Sequence, residues 1–591
     1  MSIPGAELHA PMDFLTLSSS RALFKILAST AFSGGQLSIV HLYNKTQLAD
    51  GAAPLMVGDS VSSSMRINEI VNTESGKLVK ILGMLSCRGQ TIAHVETVSL
   101  SRNLRISSNK TFQRKHGQQF TIQLGTESDV AALLTKDWFA YSDDTLAYLV
   151  PGSQVELCLD IEYRFKRDSV YSSISTTGCA FVRAPAGAAV HVADILFKCG
   201  TSVKNPVIEY LRRHEALSDE ILFDGDGYSL VPPENDMLAH VIVPDTNWKY
   251  ARLSADGNPI HTNAYVADLA GLPGPVTHGM WTGASTRALL EYYAANDKPE
   301  RIRMYQTNFV GIVQPKDQLR TKLFHVGMKN GRMLVKGMTF KVNGDPVLEC
   351  TAEVEQPATA YVFTGQGSQE VGMGMDLYSQ SAAARNVWDR AERHMVDKYG
   401  LSLLAIVRTN PKELTVHFGG LKGKRVQRNY MSLSTGNGKV DNAFQLFPDI
   451  TSDSLSYTYR SPMGLLNATQ FTQVALVAYA MAAVADMRSK SLVQKGASFA
   501  GHSLGEYAAL VSLSGLFTLE DVLDITFYRG MLMQLAVERD SQGRSQYGMV
   551  AVDPSLIGKT VSENLLALVI EAIRIHGQGL LEVANFNVRG L

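Results

Sequence analysis

Leu319-Arg320-Thr321-Lys322-Leu323-Phe324-His325-Val326-Gly327-Met328 opens the stretch that decides the fold. Apolar and polar side chains alternate along it. Lys329-Asn330-Gly331 then turns the chain into residues 334–342, and Asn343-Gly344-Asp345 turns it again into residues 347–355. Period-two alternation broken at Asn-Gly is the pattern of antiparallel strands joined by tight hairpins. Upstream, Val57-Gly58-Asp59 opens a matching set: residues 61–70 and 77–86, a turn at Arg88-Gly89-Gln90, and residues 91–100. A weaker set opens at Pro151-Gly152 and runs through residues 155–165 to 190–197. Such internal repetition points to one architecture used three times.

Helical stretches precede the outer two sets, at residues 14–31 and 268–295, the latter including Thr286-Arg287-Ala288-Leu289-Leu290-Glu291-Tyr292-Tyr293. A helix followed by a long curved antiparallel meander predicts a hot-dog fold; one continuous β-sandwich is the alternative. A turn-rich seam, Asp224-Gly225-Asp226-Gly227 then Pro232-Pro233-Glu234-Asn235, separates the second set from the third. After Glu355-Gln356-Pro357-Ala358 the texture changes. Short apolar strands, residues 360–364 and 497–500, alternate with helix-period segments at 382–399 and 469–490, which predicts an α/β unit. The expected domains are therefore α+β hot-dog units at 1–115, 116–230 and 235–357, followed by an α/β domain at 359–591.

The composition is that of ordinary globular protein, with 591 residues, 45% hydrophobic and 19% charged. Balanced charge, Lys+Arg 55 against Asp+Glu 56, leaves no field to recruit nucleic acid or anionic membrane. Five cysteines without a C-x-x-C argue against a secreted disulfide framework and against a structural zinc site, and fit reduced thiols in the cytoplasm. Glu7 and Asp13 interrupt any signal peptide, and the longest apolar run, residues 474–485, is too short to span a bilayer.

Arg252-Leu253-Ser254-Ala255-Asp256-Gly257-Asn258-Pro259-Ile260-His261 is dense in polar side chains within an apolar region. Pro259 fixes its own φ and biases Asn258 away from helix, so Asp256 and His261 can converge from opposite ends of one turn. A carboxyl and an imidazole around one water are the minimum equipment for moving water across a C=C bond beside a thioester. Downstream, Pro273-Gly274-Pro275-Val276-Thr277-His278-Gly279-Met280 enters a helix whose first N–H, at Gly279, can hold an enolate-like oxygen. The bland alternative is an Asx-turn at Asp256 with His261 merely hydrogen-bonded nearby. Together the two strings resemble the signature of the MaoC-like, R-specific hydratases and dehydratases. That resemblance implies Asp256 and His261 as the acid/base pair, Asn258 as their support and the Gly279 N–H as the oxyanion hole. Ala255 stands where that family usually has glycine. His278 belongs to the string but reads as positional, a satisfied histidine, and a metal on His261 and His278 lacks a third ligand.

Gly501-His502-Ser503-Leu504-Gly505-Glu506 is a G-x-S-x-G elbow between a short strand and a helix, lifting Ser503 above the strand end. It has company: Tyr361-Val362-Phe363-Thr364-Gly365-Gln366-Gly367-Ser368-Gln369, Thr472-Gln473-Val474-Ala475-Leu476, and Tyr528-Arg529-Gly530 with Met533-Gln534. These strings resemble the malonyl/acyl-carrier-protein transacylases, with Val474 where proline is usual. The resemblance implies Ser503 as nucleophile, the N–H groups of Gln366 and Leu504 as oxyanion hole, and Arg529 gripping a malonyl carboxylate bidentately. The base histidine of that family lies about a hundred residues beyond the serine, whereas the histidine after Ser503 is His576, outside any family string. The chain ends in residues 583–588, which resemble the family's strand before the part that is missing. The expectation is a transferase half completed by another chain or impaired by truncation.

In order, the motif strings resemble the β subunit of fungal-type fatty acid synthase across nearly the whole chain, including an insertion string at residues 413–420. The resemblance implies dehydration of (3R)-3-hydroxyacyl thioesters on acyl carrier protein to trans-2-enoyl thioesters, and malonyl/palmitoyl transfer between CoA and carrier protein through Ser503. It implies CoA and phosphopantetheine thioesters as substrates and a hetero-oligomeric partner, the α subunit with its carrier protein. No G-x-G-x-x-G loop or flavin site is present, so neither FMN nor NADPH is expected on this chain. Alternatives are a non-catalytic scaffold or remnant of such a synthase, or a subunit making a starter acyl chain for secondary metabolism. A stand-alone serine hydrolase needs a downstream Asp and His in order, and a suitable His is not seen.

Overall fold

The structure, a computed structural model, describes residues 9–29, 36–167, 170–183, 189–214, 220–223, 225–232, 240–435, 444–513, 517–538, 540, 545–548, 550, 563–577 and 580–584. The chain forms two compact units, Met1–Ala360 with Met487–Ser498, and Tyr361–Asp486 with Phe499–Leu591.

In the first unit, α1 (Met12–Ser18) and α2 (Ser20–Leu27) precede β1 (Ile39–Leu48), β2 (Val61–Thr73), β3 (Gly76–Cys87) and β4 (Gln90–Arg102). A second set follows: β5 (Phe112–Gln123), α3 (Glu127–Leu134), β6 (Phe139–Tyr141), β7 (Gln154–Arg167), β8 (Val170–Arg183), β9 (Ala189–Cys199) and α4 (Pro206–His214). The third begins with short strands β10 (Glu220–Leu222), β11 (Tyr228–Ser229) and β12 (His240–Ile242). After them come α5 (Trp248–Ser254), α6 (Ala264–Leu269) and α7 (Gly279–Ala295), then β13 (Ile302–Phe309), β14 (Gln318–Lys329), β15 (Arg332–Lys341) and β16 (Pro346–Glu355).

The strands lie on one path, β10-β14-β15-β16-β13-β1-β4-β3-β2-β5-β7-β8-β9-β6, with β11 and β12 also on β14. Within the second set the order is first, third, fourth, fifth, second. The third set repeats that order, with β10–β12 in the first place, and the first set repeats it without an opening strand. This shared order is the hot-dog topology, and a continuous path replaces the two stacked sheets of a sandwich. β5 starts at Phe112, inside the first of the expected ranges.

The alternation of the opening stretch places Leu319, Thr321 and Leu323 inward, with Arg320 and Lys322 outward. Asn330 and Gly331 both take positive φ, +50° and +76°, as a two-residue type I′ hairpin requires. The stretch 268–295 is part turn and part helix: Pro273 and Pro275 cannot continue a helical ladder and Gly274 sits at φ +149°, and α7 starts at Gly279. The stretch at 14–31 likewise divides at Ser19 into α1 and α2.

The first and third sets share an edge. β1 pairs with β13 from Tyr43↔Asn308 to Gln47↔Met304. Arg287 of α7 forms an ion pair with Asp13 of α1 at 2.6 Å. The second set joins through two residue pairs only, Glu69↔Gln113 and Ile70↔Phe112.

In the second unit, the strands Ala360–Phe363 and Ser498–Gly501 form a two-stranded sheet. Helices Ala382–Tyr399, Thr469–Ser489, Leu504–Leu513 and Leu519–Leu535 follow the expected texture. Trp388, Tyr430, Phe471 and Phe527 centre its core. The insertion string forms a strand, Glu413–His417, paired with Ser456–Arg460. No helix among the described residues is long and apolar enough to cross a membrane. Asp224 and Pro233-Glu234-Asn235 of the expected seam, and residues 585–588 of the expected final strand, lie outside the described residues.

Leu323 is fully buried in the core beneath α7. Leu323→Ala is expected to lower unfolding free energy by about 2–5 kcal/mol, read as a shift in urea midpoint without a change in slope.

Candidate active sites

The turn after α5 carries the first site. α5 ends at Ala255, whose φ of +56° is left-handed. Glycine adopts that region at no cost, which explains why the resembling family prefers it here. Asp256 Oδ1 accepts from the Asn258 N–H at 3.2 Å, and Asn258 Oδ1 accepts from the Ile260 N–H at 3.3 Å, capping the short helical turn Pro259–His261. The Asx-turn alternative is therefore present, and it coexists with the predicted pair. His261 Nε2 lies 3.9 Å from Asp256 Oδ2. Asn258 supports that pair through its backbone N–H and its cap.

His261 Nδ1 is 2.7 Å from the Val276 carbonyl. A carbonyl only accepts, so Nδ1 carries the proton and Nε2 presents its lone pair toward Asp256. Burial lowers the His261 pKa, against the opposing pull of Asp256 and the Val276 bond, keeping the ring neutral. His278, the residue before α7, stacks on His261 with ring centroids 3.7 Å apart. Its Nε2 donates to the Asp256 carbonyl at 3.2 Å, but its Nδ1 is buried without a partner, so it is not the satisfied histidine expected. Burial, then His261, pushes its pKa down to about 4.

A third ligand type does exist: Asp256, His261 and His278 offer ligand atoms within 4.8 Å of one another, so the spacing argument against a metal falls. His278 Nε2 donates to the Asp256 carbonyl, so in this tautomer the ring's lone pair is on its buried Nδ1.

Three residues of this site had no signal in the sequence. Asn247 stands where an N-cap would, yet it caps nothing. Its buried side-chain amide donates to the His261 carbonyl at 2.9 Å and the Val276 carbonyl at 3.0 Å, tying the two signature strings together. His41 arrives from β1 through the β1–β13 edge. Its Nε2 is 2.9 Å from the Tyr43 carbonyl and 2.7 Å from Thr97 Oγ1, and burial pushes its pKa down to about 4, partly countered by the Tyr43 bond and Asp256. Phe309 of β13 stacks near His41 and closes over Gly279, where a Cβ would come within 3.0 Å of its ring.

These groups line a cavity of about 760 Å³. Asp256, His261, Gly279 and His41 face it together with apolar side chains of α1 and α2, among them Leu17, Leu23, Phe24 and Leu27. Gly279 opens the 17-residue α7, so its N–H has no acceptor within the helix and sits at the positive end of the dipole.

The second site is built on the elbow. Ser503 adopts φ +52°. A Cβ on Gly501 would overlap the Gly505 backbone, and one on Gly505 would overlap the Phe363 carbonyl, so both glycines are demanded by close approach. Leu504 begins the following helix. Arg529 Nη2 donates to Ser503 Oγ at 3.2 Å, and its guanidinium lies over the Tyr507 ring at 5.3 Å. Gln366, exposed on its glycine-rich loop, accepts from Gln473 Nε2 at 3.2 Å. Gln473 is fully buried in the helix Thr469–Ser489 with its Oε1 unpartnered, and it is the residue of this site whose role the sequence left unassigned. Among the described residues no histidine hydrogen-bonds Ser503. His576 Nδ1 donates to the Ala572 carbonyl of its own helix at 2.8 Å.

A hot-dog unit bearing an Asp/His turn over an apolar cavity, with a serine elbow and its arginine, defines a two-activity class, and comparison with known families agrees. Residues 232–343 match the MaoC like domain, 360–589 the acyl transferase domain, and 112–211 the insertion domain of fatty acid synthase subunit beta. The chain is a homologue of the fungal fatty acid synthase β subunits over its whole length. It is 41% identical over 591 residues to fatty acid synthase subunit beta of Saccharomyces cerevisiae, and 41% identical over 587 residues to that of Schizosaccharomyces pombe. These alignments cover 100% and 98% of this chain but 28% of each relative. A solved MaoC-like dehydratase aligns with 60% of this chain and 86% of its own at 14% identity, with a TM-score of 0.34.

His41 and His278 have folded values near 4 against an ordinary 6.5. The folded state binds fewer protons than the unfolded, so stability is fully present above about 6.5 and is lost as pH falls toward about 4. Urea midpoints across that window are expected to fall, and to fall less in His41→Gln.

Proposed function

We propose that the first unit removes water from (3R)-3-hydroxyacyl thioesters to give trans-2-enoyl thioesters. The observation that carries this is the neutral His261, its Nε2 lone pair 3.9 Å from the Asp256 carboxyl on the wall of an apolar cavity. The Cα–H bond breaks and its proton goes to one member of the pair. The C=C bond forms as the C–O bond breaks, and the hydroxyl leaves as water with a proton from the pair. Enzyme protonation is thus restored within one turnover. In this reading the Gly279 N–H, at the start of α7, holds the thioester oxygen where negative charge develops, and donors in that role are worth about 3–4 kcal/mol in barrier height.

In the second unit, Ser503 Oγ attacks a malonyl thioester carbonyl and CoA departs. N–H groups of Gln366 and Leu504 hold the oxyanion, and Arg529, already beside Ser503, binds the malonyl carboxylate. Transfer to the carrier phosphopantetheine reverses the sequence, and palmitoyl follows the same path. The attack needs a proton acceptor for Ser503; without one supplied by another chain the transferase is impaired. Homology to synthase β subunits supports an α subunit bearing the acyl carrier protein as partner, and the cytoplasm as the place of assembly. Within this reading the domains are hot-dog units at 1–115, 116–230 and 235–357, the third catalytic, and the transferase at 359–591.

Two outcomes test these readings. Hydration of an enoyl thioester, followed as loss of its ultraviolet absorbance, is expected to fall at least about 100-fold in Asp256→Asn and in His261→Gln with the melting temperature within a few degrees of wild type. A folded wild type as inactive as Asp256→Asn means a scaffold. For the transferase, radiolabel from malonyl-CoA is expected on wild type and absent from Ser503→Ala. Arg529→Lys is expected to lose malonyl labelling about tenfold or more while an uncharged acetyl donor changes little.

A further inference from the structure

His191 and Asp194 stand three apart on β9, a spacing that puts side chains on opposite faces of a regular strand. Here they share a face. β9 slips against β8, the partner of Ala180 being Ala193 and that of Phe181 being His191, and both Val192 and Ala193 are buried while His191 and Asp194 emerge to solvent. A bulge commonly re-aims a side chain in this way. His191 Nε2 ends 3.0 Å from Asp194 Oδ1, and Cys179 Sγ ends 3.8 Å from the same oxygen.

The register extends the group. Asp194 lies opposite Cys179 on one side, and Cys158 of β7 lies opposite Cys179 on the other. Three adjacent strands therefore present thiol, thiol and carboxylate in one row, where side chains directly opposite approach to about 5 Å. The bulge adds the imidazole. Ligand atoms of Cys179, His191 and Asp194 all lie within 4.8 Å of one another.

We propose that Cys179, His191 and Asp194 bind a divalent cation of the zinc class, with a solvent-facing fourth position left to water. Bonds of about 2.0 Å to nitrogen and oxygen and about 2.3 Å to sulfur give tetrahedral edges of about 3.3 and 3.5 Å. The two short separations bracket those values. Thiolate with imidazole and one carboxylate suits zinc, whereas magnesium and calcium take oxygen ligands. A cation held between the Cys179 sulfur and the Asp194 carboxylate is attracted by both. Binding displaces the Cys179 proton to water, so affinity rises with pH. Sequence spacing hid the site, because its cysteine is on a different strand and its histidine joins through a bulge. It shares no residue with either candidate active site.

The probe is Co²⁺ added to the full 591-residue chain under a phosphine reductant. The expected result is one equivalent giving thiolate-to-cobalt charge-transfer absorption and the intense visible bands of four-coordinate cobalt. The Asp256/His261/His278 group has no thiolate and cannot produce the first signal. Cys179→Ser is expected to abolish the charge-transfer band, and His191→Gln and Asp194→Asn to weaken Co²⁺ binding tenfold or more. All three side chains are on the sheet surface, so equal melting temperatures of metal-free wild type and variants verify folding. Zn²⁺ is expected to raise the wild-type melting temperature and to leave that of Cys179→Ser unchanged. No charge-transfer band at excess Co²⁺ overturns the proposal, and so does a band that persists undiminished in Cys179→Ser.

Discussion

The carbonyl of Val276 is the constraint on which the dehydratase geometry hangs. It accepts from His261 Nδ1 and from Asn247 Nδ2, and Asn247 reaches the His261 carbonyl with the same amide. One oxygen thereby fixes the imidazole tautomer, the ring's direction and the distance between two loops fifteen residues apart. Hydrogen bonds beyond the reacting groups commonly set ligand or base orientation in this manner. Without that acceptor the ring would have no reason to keep its proton on Nδ1, and the lone pair facing Asp256 would be one of two tautomeric choices.

Much of the site was legible because its chemistry is local. Asp256, Asn258 and His261 sit on one turn, and Pro259 and the Asx geometry bring them together without help from the rest of the chain. Ser503 is similar: Gly501 and Gly505 are demanded by backbone contacts within a few residues and with one neighbouring strand. What was hidden is long-range. His41 is more than two hundred residues from His261 and joins it only because β1 docks on β13. Asn247 carries no signal of its own, because only the fold brings its amide to the His261 and Val276 carbonyls. For the fold, alternation and Asn-Gly turns placed the meanders, and Pro273 and Pro275 marked where the chain enters α7.

The two sites handle charge differently. At the dehydratase turn, buried neutral imidazoles avoid the cost of ionisation in an apolar wall, which suits a substrate whose tail is hydrocarbon. At the elbow, Ser503 is exposed, held in a left-handed conformation and hydrogen-bonded by a full positive charge. A left-handed non-glycine residue costs on the order of 1–2 kcal/mol, and close packing of both glycines against backbone is what keeps it there.

The shared edge between β1 and β13 divides labour in an inheritable way. Asp256 and His261, the proposed acid/base pair, come from one hot-dog copy, while much of the greasy floor comes from helices of another. Drift in Leu17, Leu23, Phe24 or Leu27 can therefore alter how long a tail is accommodated while leaving the reacting atoms in register. After gene duplication, such a layout lets one descendant explore shorter or longer products without first surviving a catalytically dead intermediate.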